Sequence, residues 1–317
     1  MIAVHWGLDE LPRALAEAGV TRPLVIASAR WRSLDVPAHV GWWTEVPSTA
    51  VAVPDDADGI VAIGGGSAID TAKHASAQSG KPVVHVPTTY SGAEWTTFYG
   101  IRSPDRVIRG GGAGAHPAAI VYDVDLTLDL PRDVTAGTAL NALAHCAEAL
   151  YAAGHDPEGD AQALAGAPLI ASSLPRVLER PKDRGAREEL LRGAMHAGRA
   201  LGIAGLALAH AMAQAVGGAY GLPHGAMNAL CLPPALGFNA RVVPDAVRRF
   251  GDAIGGDAVG RTRALARLGG FERLRDFGVP EGDLPALAAS AAQRGGNQAN
   301  PKRATPAEIL DLFRSIW

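Results

Sequence analysis

A change of pattern near residue 131 limits the possible folds more than any other feature of this sequence. Four short, β-rich apolar runs precede it: Leu24–Ala27, Ile60–Ile63, Val83–Val86 and Ala118–Tyr122. They alternate with helical patterns or turn-forming clusters, which is typical of a parallel sheet in an α/β domain. Four long Ala- and Leu-rich stretches with helical spacing of apolar residues follow it: Val134–Ala153, Asp160–Leu178, Arg187–Ala219 and Pro244–Leu268. We therefore predict an α/β domain over residues 1–131 and an all-helical domain over residues 132–317.

Composition excludes several classes of function. The net charge of −3 provides no broad basic field, so we do not expect nucleic acid as a partner. No run of ~20 apolar residues is present, so no membrane span is expected. The two cysteines, Cys146 and Cys231, fit neither a disulfide framework nor a CxxC metal pattern. These features predict a cytoplasmic protein.

A glycine-rich bend follows the second apolar run. The segment Ile60–Lys73 reads as a strand, the turn Gly64-Gly65-Gly66-Ser67 and the start of a helix. Backbone amides in such a bend can approach a pyrophosphate, and the helix N-terminus adds further donors. The bend is not the GxGxxG of the ordinary dinucleotide fingerprint, and a βα turn can use glycine simply to fold tightly. A second turn, Val86–Gly92, brings hydroxyls to the same sheet edge, where ligands bind in α/β sheets.

Five ordered segments together resemble the iron-containing alcohol dehydrogenase superfamily, which shares its fold with dehydroquinate synthase, and within it the maleylacetate reductases. The segments are Ala62–Asp70, Pro87–Glu94, Tyr122–Pro131, Leu140–Tyr151 and Gly217–His224. The resemblance implies an oxidoreductase that uses NADH or NADPH and forms a homodimer. Combined with the two turns, it gives these candidate cofactor-binding residues: Gly64, Gly65, Gly66, Ser67, Asp70, Thr88, Thr89, Ser91 and Thr127.

Superfamily alcohol dehydrogenases bind a divalent metal through one Asp and three His. We matched these positions to Asn141, His145, Gln214 and His224. Two neutral amides and two imidazoles supply no anionic charge, and amides are poor ligands for Fe²⁺ or Zn²⁺. Maleylacetate reductases also carry Asn at the first position. No metal is therefore expected.

Without a metal, the negative charge that hydride addition creates needs another stabilising group and a proton donor. The candidate catalytic residues are His145, His210 and His224, with Asn141 and Gln214 as hydrogen-bond donors to substrate. The alternative for each histidine, most of all for His210, is a packed core residue with a satisfied ring.

Two basic features bear on ligand choice. Arg30 stands where relatives that prefer NAD often carry an acid, so NADPH is at least tolerated unless Arg30 is only a solvated charge. The segment Asn300-Pro301-Lys302-Arg303 resembles an Asn-Pro-Arg segment of maleylacetate reductases and could hold a carboxylate, or could simply face solvent.

These patterns favour an NAD(P)H-dependent, metal-independent reductase of a small, carboxylate-bearing enone or keto compound. One alternative is a metal-dependent alcohol dehydrogenase with an eroded site. Another is a member of the superfamily repurposed as a lyase, a cyclase or a ligand-binding protein. Gln214, Asn228 and Pro234 replace residues that relatives carry, and they keep this last alternative open.

Overall fold

The computed structural model describes residues 2–102 and 108–317, and the chain divides into two compact units, Met1–Leu128 and Asp129–Trp317. The first unit contains a parallel sheet covered by helices, and the second consists of helices. The predicted fold class, an α/β domain followed by an all-helical one, is confirmed.

The first unit is built on a six-stranded parallel sheet with strand order β1-β8-β5-β4-β2-β3. Its strands are β1 (Ala3–Trp6), β2 (Pro23–Ala27), β3 (Gly41–Trp43), β4 (Gly59–Gly64), β5 (Val83–Pro87) and β8 (Pro117–Tyr122). A separate antiparallel pair joins β6 (Tyr99–Arg102) to β7 (Ile108–Gly112). Helices α1 (Leu11–Glu17) and α2 (Gly66–Ser79) connect successive strands.

The central strands are continuous apolar runs because both faces of the sheet are covered. In β4, Val61 and Ile63 belong to one buried cluster, whereas Ile60 and Ala62 belong to another. This alternation follows from the two-residue period of a strand. All four predicted strands are present. The sequence reading missed β1 and β3, the short edge strands, whose residues are mostly only partly buried.

The second unit contains ten helices within residues 129–317. They are α3 (Arg132–Ala149), α4 (Pro157–Glu179), α5 (Arg184–Ala204), α6 (Leu208–Tyr220), α7 (His224–Asn239), α8 (Pro244–Ala253), α9 (Ala258–Leu268), α10 (Leu284–Ala292), α11 (Gly295–Gln298) and α12 (Pro306–Arg314). Two stretches predicted as continuous are each broken into two helices. Gly205 (φ 78°) ends α5, and Gly255 (φ 81°) follows α8, since both adopt a backbone conformation that favours glycine.

Among the described residues, no single helix has the length and apolar character to cross a membrane; only α5 and α6 taken together reach both, and they meet at a bend of 99°.

Candidate functional site

The glycine bend joins β4 directly to α2. At Gly64 the backbone has φ 152°, and a Cβ there would lie 2.7 Å from the Cβ of Ala68. A Cβ on Gly65 would lie 2.8 Å from Cγ2 of Thr89. Both positions therefore require glycine. The first turn of α2 has no side-chain cap, so its amide donors remain available to a ligand.

The second loop packs against this bend. The Thr88 N–H donates to the Gly64 carbonyl at 2.9 Å, and the hydroxyl oxygen of Ser91 lies 4.0 Å from where a Cβ on Gly66 would be. Within the described part of the chain, the Thr88 and Thr89 hydroxyls are buried and lack a hydrogen-bond partner. Uncapped amides and two unsatisfied hydroxyls around a bend without side chains fit a phosphate, as a nicotinamide dinucleotide requires.

Three residues predicted to bind the cofactor lie outside this group of free donors. Asp70 pairs with Lys73 Nζ at 2.9 Å and accepts the Gly100 N–H at 3.0 Å, so its carboxylate is engaged with the β6–β7 pair. Its predicted contact with the pyrophosphate stays a prediction. The Thr127 hydroxyl donates to the Val124 carbonyl, and the Ser67 side chain is exposed at the start of α2. The ligand contacts of Thr127 and Ser67 stay predictions.

Behind the second loop lies a buried polar network that the sequence reading missed. Lys73 Nζ donates to the carbonyls of Ala93 and Phe98, while the Tyr122 hydroxyl donates to Glu94 Oε1 at 2.8 Å. Desolvation raises the pKa of Glu94. Desolvation, helped by the Lys73 charge, lowers the pKa of His85 to about 3. His85 is therefore neutral at physiological pH.

The second unit brings together the three histidines predicted as catalytic. His145 lies on α3, His210 on α6 and His224 at the start of α7. The rings of His145 and His210 stack with centroids 4.8 Å apart, and those of His210 and His224 lie 5.7 Å apart. His145 and His210 are buried. Helices distant in sequence thus build one imidazole cluster.

Glu148 anchors the middle ring of this cluster. Its carboxylate is fully buried and accepts a 2.6 Å hydrogen bond from His210 Nδ1. It also accepts the N–H groups of Ala207 and Ala209 at 2.7 Å and that of His210 at 3.3 Å, which caps the N-terminus of α6. No role for Glu148 was predicted from the sequence. Its spacing from Asn141 and His145, at i, i+4 and i+7 on one helix, was the available signal.

Two amides complete the cluster. Asn228 Nδ2 donates to Asn141 Oδ1 at 2.7 Å and lies 3.0 Å from His224 Nε2. Asn141 Nδ2 lies 3.4 Å from His145 Nε2. Amide N–H groups therefore face ring nitrogens on both sides of the cluster. Asn228, noted in the sequence only as a departure from relatives, is part of the site.

Polar atoms of the cluster remain available for a ligand. Within the described residues, His145 Nδ1, His210 Nε2 and Asn228 Oδ1 are buried without a hydrogen-bond partner. Burial, and then the neighbouring His210 and His224, hold the pKa of His145 well below its usual value, so this ring is neutral. The cluster can accept and donate hydrogen bonds to a small polar substrate.

The sequence matched Gln214 to a metal-ligand position, and that match stays a prediction. His210, one turn earlier on α6, is the residue that stacks on His145, while the Gln214 side chain is half-buried. The groups that could bind a metal here are three imidazoles and two amides, and the amide N–H groups face the ring nitrogens. No group of three or more His, Cys, Asp or Glu among the described residues has the geometry of a metal site. The set lacks the carboxylate that alcohol dehydrogenases of the superfamily supply, and the expected absence of a metal stays a prediction.

The C-terminal loop exposes its basic residues, which is one of the two alternatives that the sequence left open. Asn300 exchanges two amide hydrogen bonds with Asn239, and Lys302 pairs with Glu308 at 2.6 Å. Lys302 is thus already engaged by a carboxylate, and Arg303 is exposed. Arg294, just before α11, is instead a half-buried cation.

Comparison with known proteins identifies the family of this chain. The C-terminal region of the Fe-containing alcohol dehydrogenase family matches residues 135–317, and the iron-containing alcohol dehydrogenase model matches residues 47–124. The chain is 34% identical to maleylacetate reductase of Pseudomonas knackmussii, over 98% of this chain and 93% of the relative.

Two solved structures share the whole fold. Maleylacetate reductase from Agrobacterium tumefaciens superposes with a TM-score of 0.88 at 27% identity, covering 100% of this chain and 96% of that one. An iron-containing alcohol dehydrogenase from Corynebacterium glutamicum gives 0.89 at 28% identity, covering 99% and 94%. The chain belongs to the iron-containing alcohol dehydrogenase family.

Proposed function

We propose that this protein is an NAD(P)H-dependent, metal-independent reductase, similar to maleylacetate reductases, that acts on a small carboxylate-bearing enone or keto compound. The observation that carries the proposal is the buried Glu148–His210 pair within a cluster of imidazoles and amides that has no carboxylate among the expected metal ligands. Such a cluster suits proton transfer and anion stabilisation.

The first unit would hold the dinucleotide. The bend at Gly64–Gly66 and the hydroxyls of Thr88 and Thr89 bind its phosphates, and the buried network around Glu94 keeps the second loop in place. The bound nicotinamide supplies the hydride. The exposed Arg30, whose guanidinium carbon lies 4.5 Å from the Trp31 ring centroid, is free to approach a ribose phosphate, so we propose that both NADH and NADPH bind.

The second unit would stabilise negative charge on the substrate and supply a proton to it. The Glu148 carboxylate accepts from His210 Nδ1 and would stabilise the ring while a proton passes through its Nε2 to the oxygen of a developing enolate or alkoxide. His145 stays neutral, because its pKa is strongly lowered, and acts as a hydrogen-bond partner. His224 and Asn141 position the substrate from the other side of the cluster.

Further features belong to the same proposal. Cys146 and Cys231 are free and buried, which suits a reducing cytoplasm. We expect a homodimer, as the family resemblance implies, with a small-molecule substrate and neither nucleic acid nor membrane as a partner.

Nicotinamide fluorescence provides the direct test. Titration with NADH and NADPH should show saturable binding, and short oxo acids should then drive oxidation of the bound cofactor, measured by loss of nicotinamide absorbance. A protein that binds neither nucleotide would refute the reductase assignment and favour the repurposed ligand-binding or lyase alternative.

A further inference from the structure

Arg294 is the feature of the second unit that the proposed chemistry has not used. It precedes α11, its side chain is half-buried, and its Nε atom is fully shielded from solvent. Within the ranges 2–102 and 108–317, its Nε has no hydrogen-bond partner and its guanidinium forms no ion pair. Desolvation lowers the pKa of Arg294 from its ordinary value. A partly desolvated guanidinium without a counter-charge is costly unless an anion binds to it.

Arg294 lies beside α6, and the level that its side chain reaches on that helix indicates where the anion would lie. Helix α11, which follows Arg294, packs on the start of α6, since a Cβ on Gly296 would lie 3.4 Å from the Cβ of Ala211. The Arg294 side chain ends farther along the helix, with Nη2 3.5 Å from where a Cβ on Gly218 would be. Ala211 and Gly218 are seven residues apart and share one helix face. Helix α11 and the Arg294 guanidinium therefore contact this same face of α6 at two levels.

Gln214 lies on the same face, between those two contacts. It is three residues after Ala211 and four before Gly218, so it is about 6 Å along the helix axis from the level of the Arg294 guanidinium. His210, on the reacting cluster, lies one turn beyond Gln214. Along the axis of α6, the His210 imidazole, the Gln214 amide and the neighbouring Arg294 guanidinium therefore follow one another in that order.

We propose that Arg294 binds a carboxylate of the substrate, with the Gln214 amide as a neighbouring donor, while the carbon–oxygen or carbon–carbon double bond lies at His210. This inference rests on the proposed function for its reacting end. The ligand class is a short oxo acid or unsaturated acid whose carboxylate is remote from the reacting bond. A guanidinium can grip such a carboxylate through two parallel N–H···O bonds. Arg294 takes over the role that the sequence had suggested for Lys302 and Arg303.

A binding experiment tests Arg294 without catalysis. Isothermal titration calorimetry would compare glutarate with its uncharged dimethyl ester on the full-length protein, the Arg294→Met variant and the Arg303→Met variant. Arg303 is an exposed cation nearby in sequence and serves as the matched control. We expect Arg294→Met to weaken glutarate binding by roughly tenfold to hundredfold, the range of charge-assisted hydrogen bonds. The ester should bind the unmodified protein and Arg294→Met with equal affinity. Arg303→Met should bind glutarate with the affinity of the unmodified protein.

Three results would overturn the assignment: no glutarate binding to the unmodified protein, Arg294→Met affinity within twofold of it, or an equal loss in Arg303→Met. Arg294→Lys adds a check, because it retains charge but not the planar fork and should recover only part of the affinity. In turnover with an oxo acid, Arg294→Met should raise KM more than it lowers kcat. If glutarate binding depends on Arg294 but no oxo acid is reduced, the reductase proposal fails and the carboxylate site stands.

Discussion

The glycine bend of the first unit and the histidine cluster of the second unit handle charge in different ways. Around the bend the ligand-facing groups are neutral amides and hydroxyls, and Lys73 is turned away onto the Ala93 and Phe98 carbonyls. In the cluster a fully buried carboxylate, Glu148, contacts an imidazole directly. A fixed neutral cradle suits the binding of a cofactor, whereas a carboxylate–imidazole pair suits the movement of a proton.

This contrast separates the expected effects of substitution. Changes in the bend should weaken cofactor binding and leave the proton steps intact. Changes in the cluster should slow turnover and leave cofactor affinity intact. The predictions below run from the largest expected effect to the smallest.

Glu148→Gln should have the largest effect. A glutamine can accept only with its one oxygen, so either His210 Nδ1 together with the Ala207 N–H, or the Ala209 N–H, loses its partner. Breaking a buried charged contact costs about 3 kcal/mol of folding free energy, and loss of the proton-transfer pair should lower kcat by about a hundredfold to ten-thousandfold. Denaturant unfolding and steady-state kinetics measure the two effects. Glu158→Gln, at an exposed site on α4, is the control and should change neither.

The neutral state of His85 predicts acid sensitivity in the first unit. The pKa of His85 is about 3 when folded and 6.5 in the reference state, so its contribution to stability is present above 6.5 and is lost as pH falls toward 3. At about pH 4 this loss is on the order of 3 kcal/mol. His85→Gln should therefore show a smaller fall in apparent Tm between neutral and acid pH than the unmodified protein. Equal falls in the two proteins would argue against a buried neutral imidazole here.

His224→Ala should lower kcat by roughly a hundredfold while NAD(P)H affinity is preserved, because this ring belongs to the histidine cluster. His155→Ala removes an exposed imidazole of the same unit and is the control. Near-normal turnover of His224→Ala would return His224 to a packing role, and a parallel loss of cofactor affinity would break the contrast between the two sites.

Gly65→Val should weaken NAD(P)H binding by about tenfold or more, since its side chain would clash with Thr89 and fill the cradle. Gly41→Val is the matched control, because a Cβ on Gly41 meets nothing within 4 Å. Fluorescence titration gives both affinities, and circular dichroism checks that each variant is folded. Unchanged nucleotide affinity in Gly65→Val would remove the bend from the cofactor site.

The same contrast explains what the sequence could predict. The bend is a local feature, in which consecutive glycines between a strand and a helix already encode the close backbone approach. The cluster is assembled from three helices, and helical spacing placed both His210 and Gln214 on one side of α6 without deciding which meets His145. The capping of α6 by Glu148 settles that choice, and it depends on tertiary packing between residues about sixty positions apart.

The basic residues of the second unit also show what could not be predicted from the sequence. Lys302 and Arg303 stood out in the sequence because they sit in a family-like segment, but Glu308 engages Lys302 and Arg303 is exposed. Arg294 stands in no motif, and only its burial and missing partner single it out. Charge alone was visible in the sequence, whereas desolvation was not.

Metal dependence tests the central claim most directly, namely that imidazoles and a buried carboxylate do the work of a metal. The purified protein should be assayed for oxo-acid reduction by NAD(P)H before and after chelation, with its iron and zinc content measured in parallel. We predict unchanged turnover and far less than one metal ion per chain. Stoichiometric iron or zinc, with activity lost on chelation and restored by the metal, would contradict the account and favour the metal-dependent alcohol dehydrogenase.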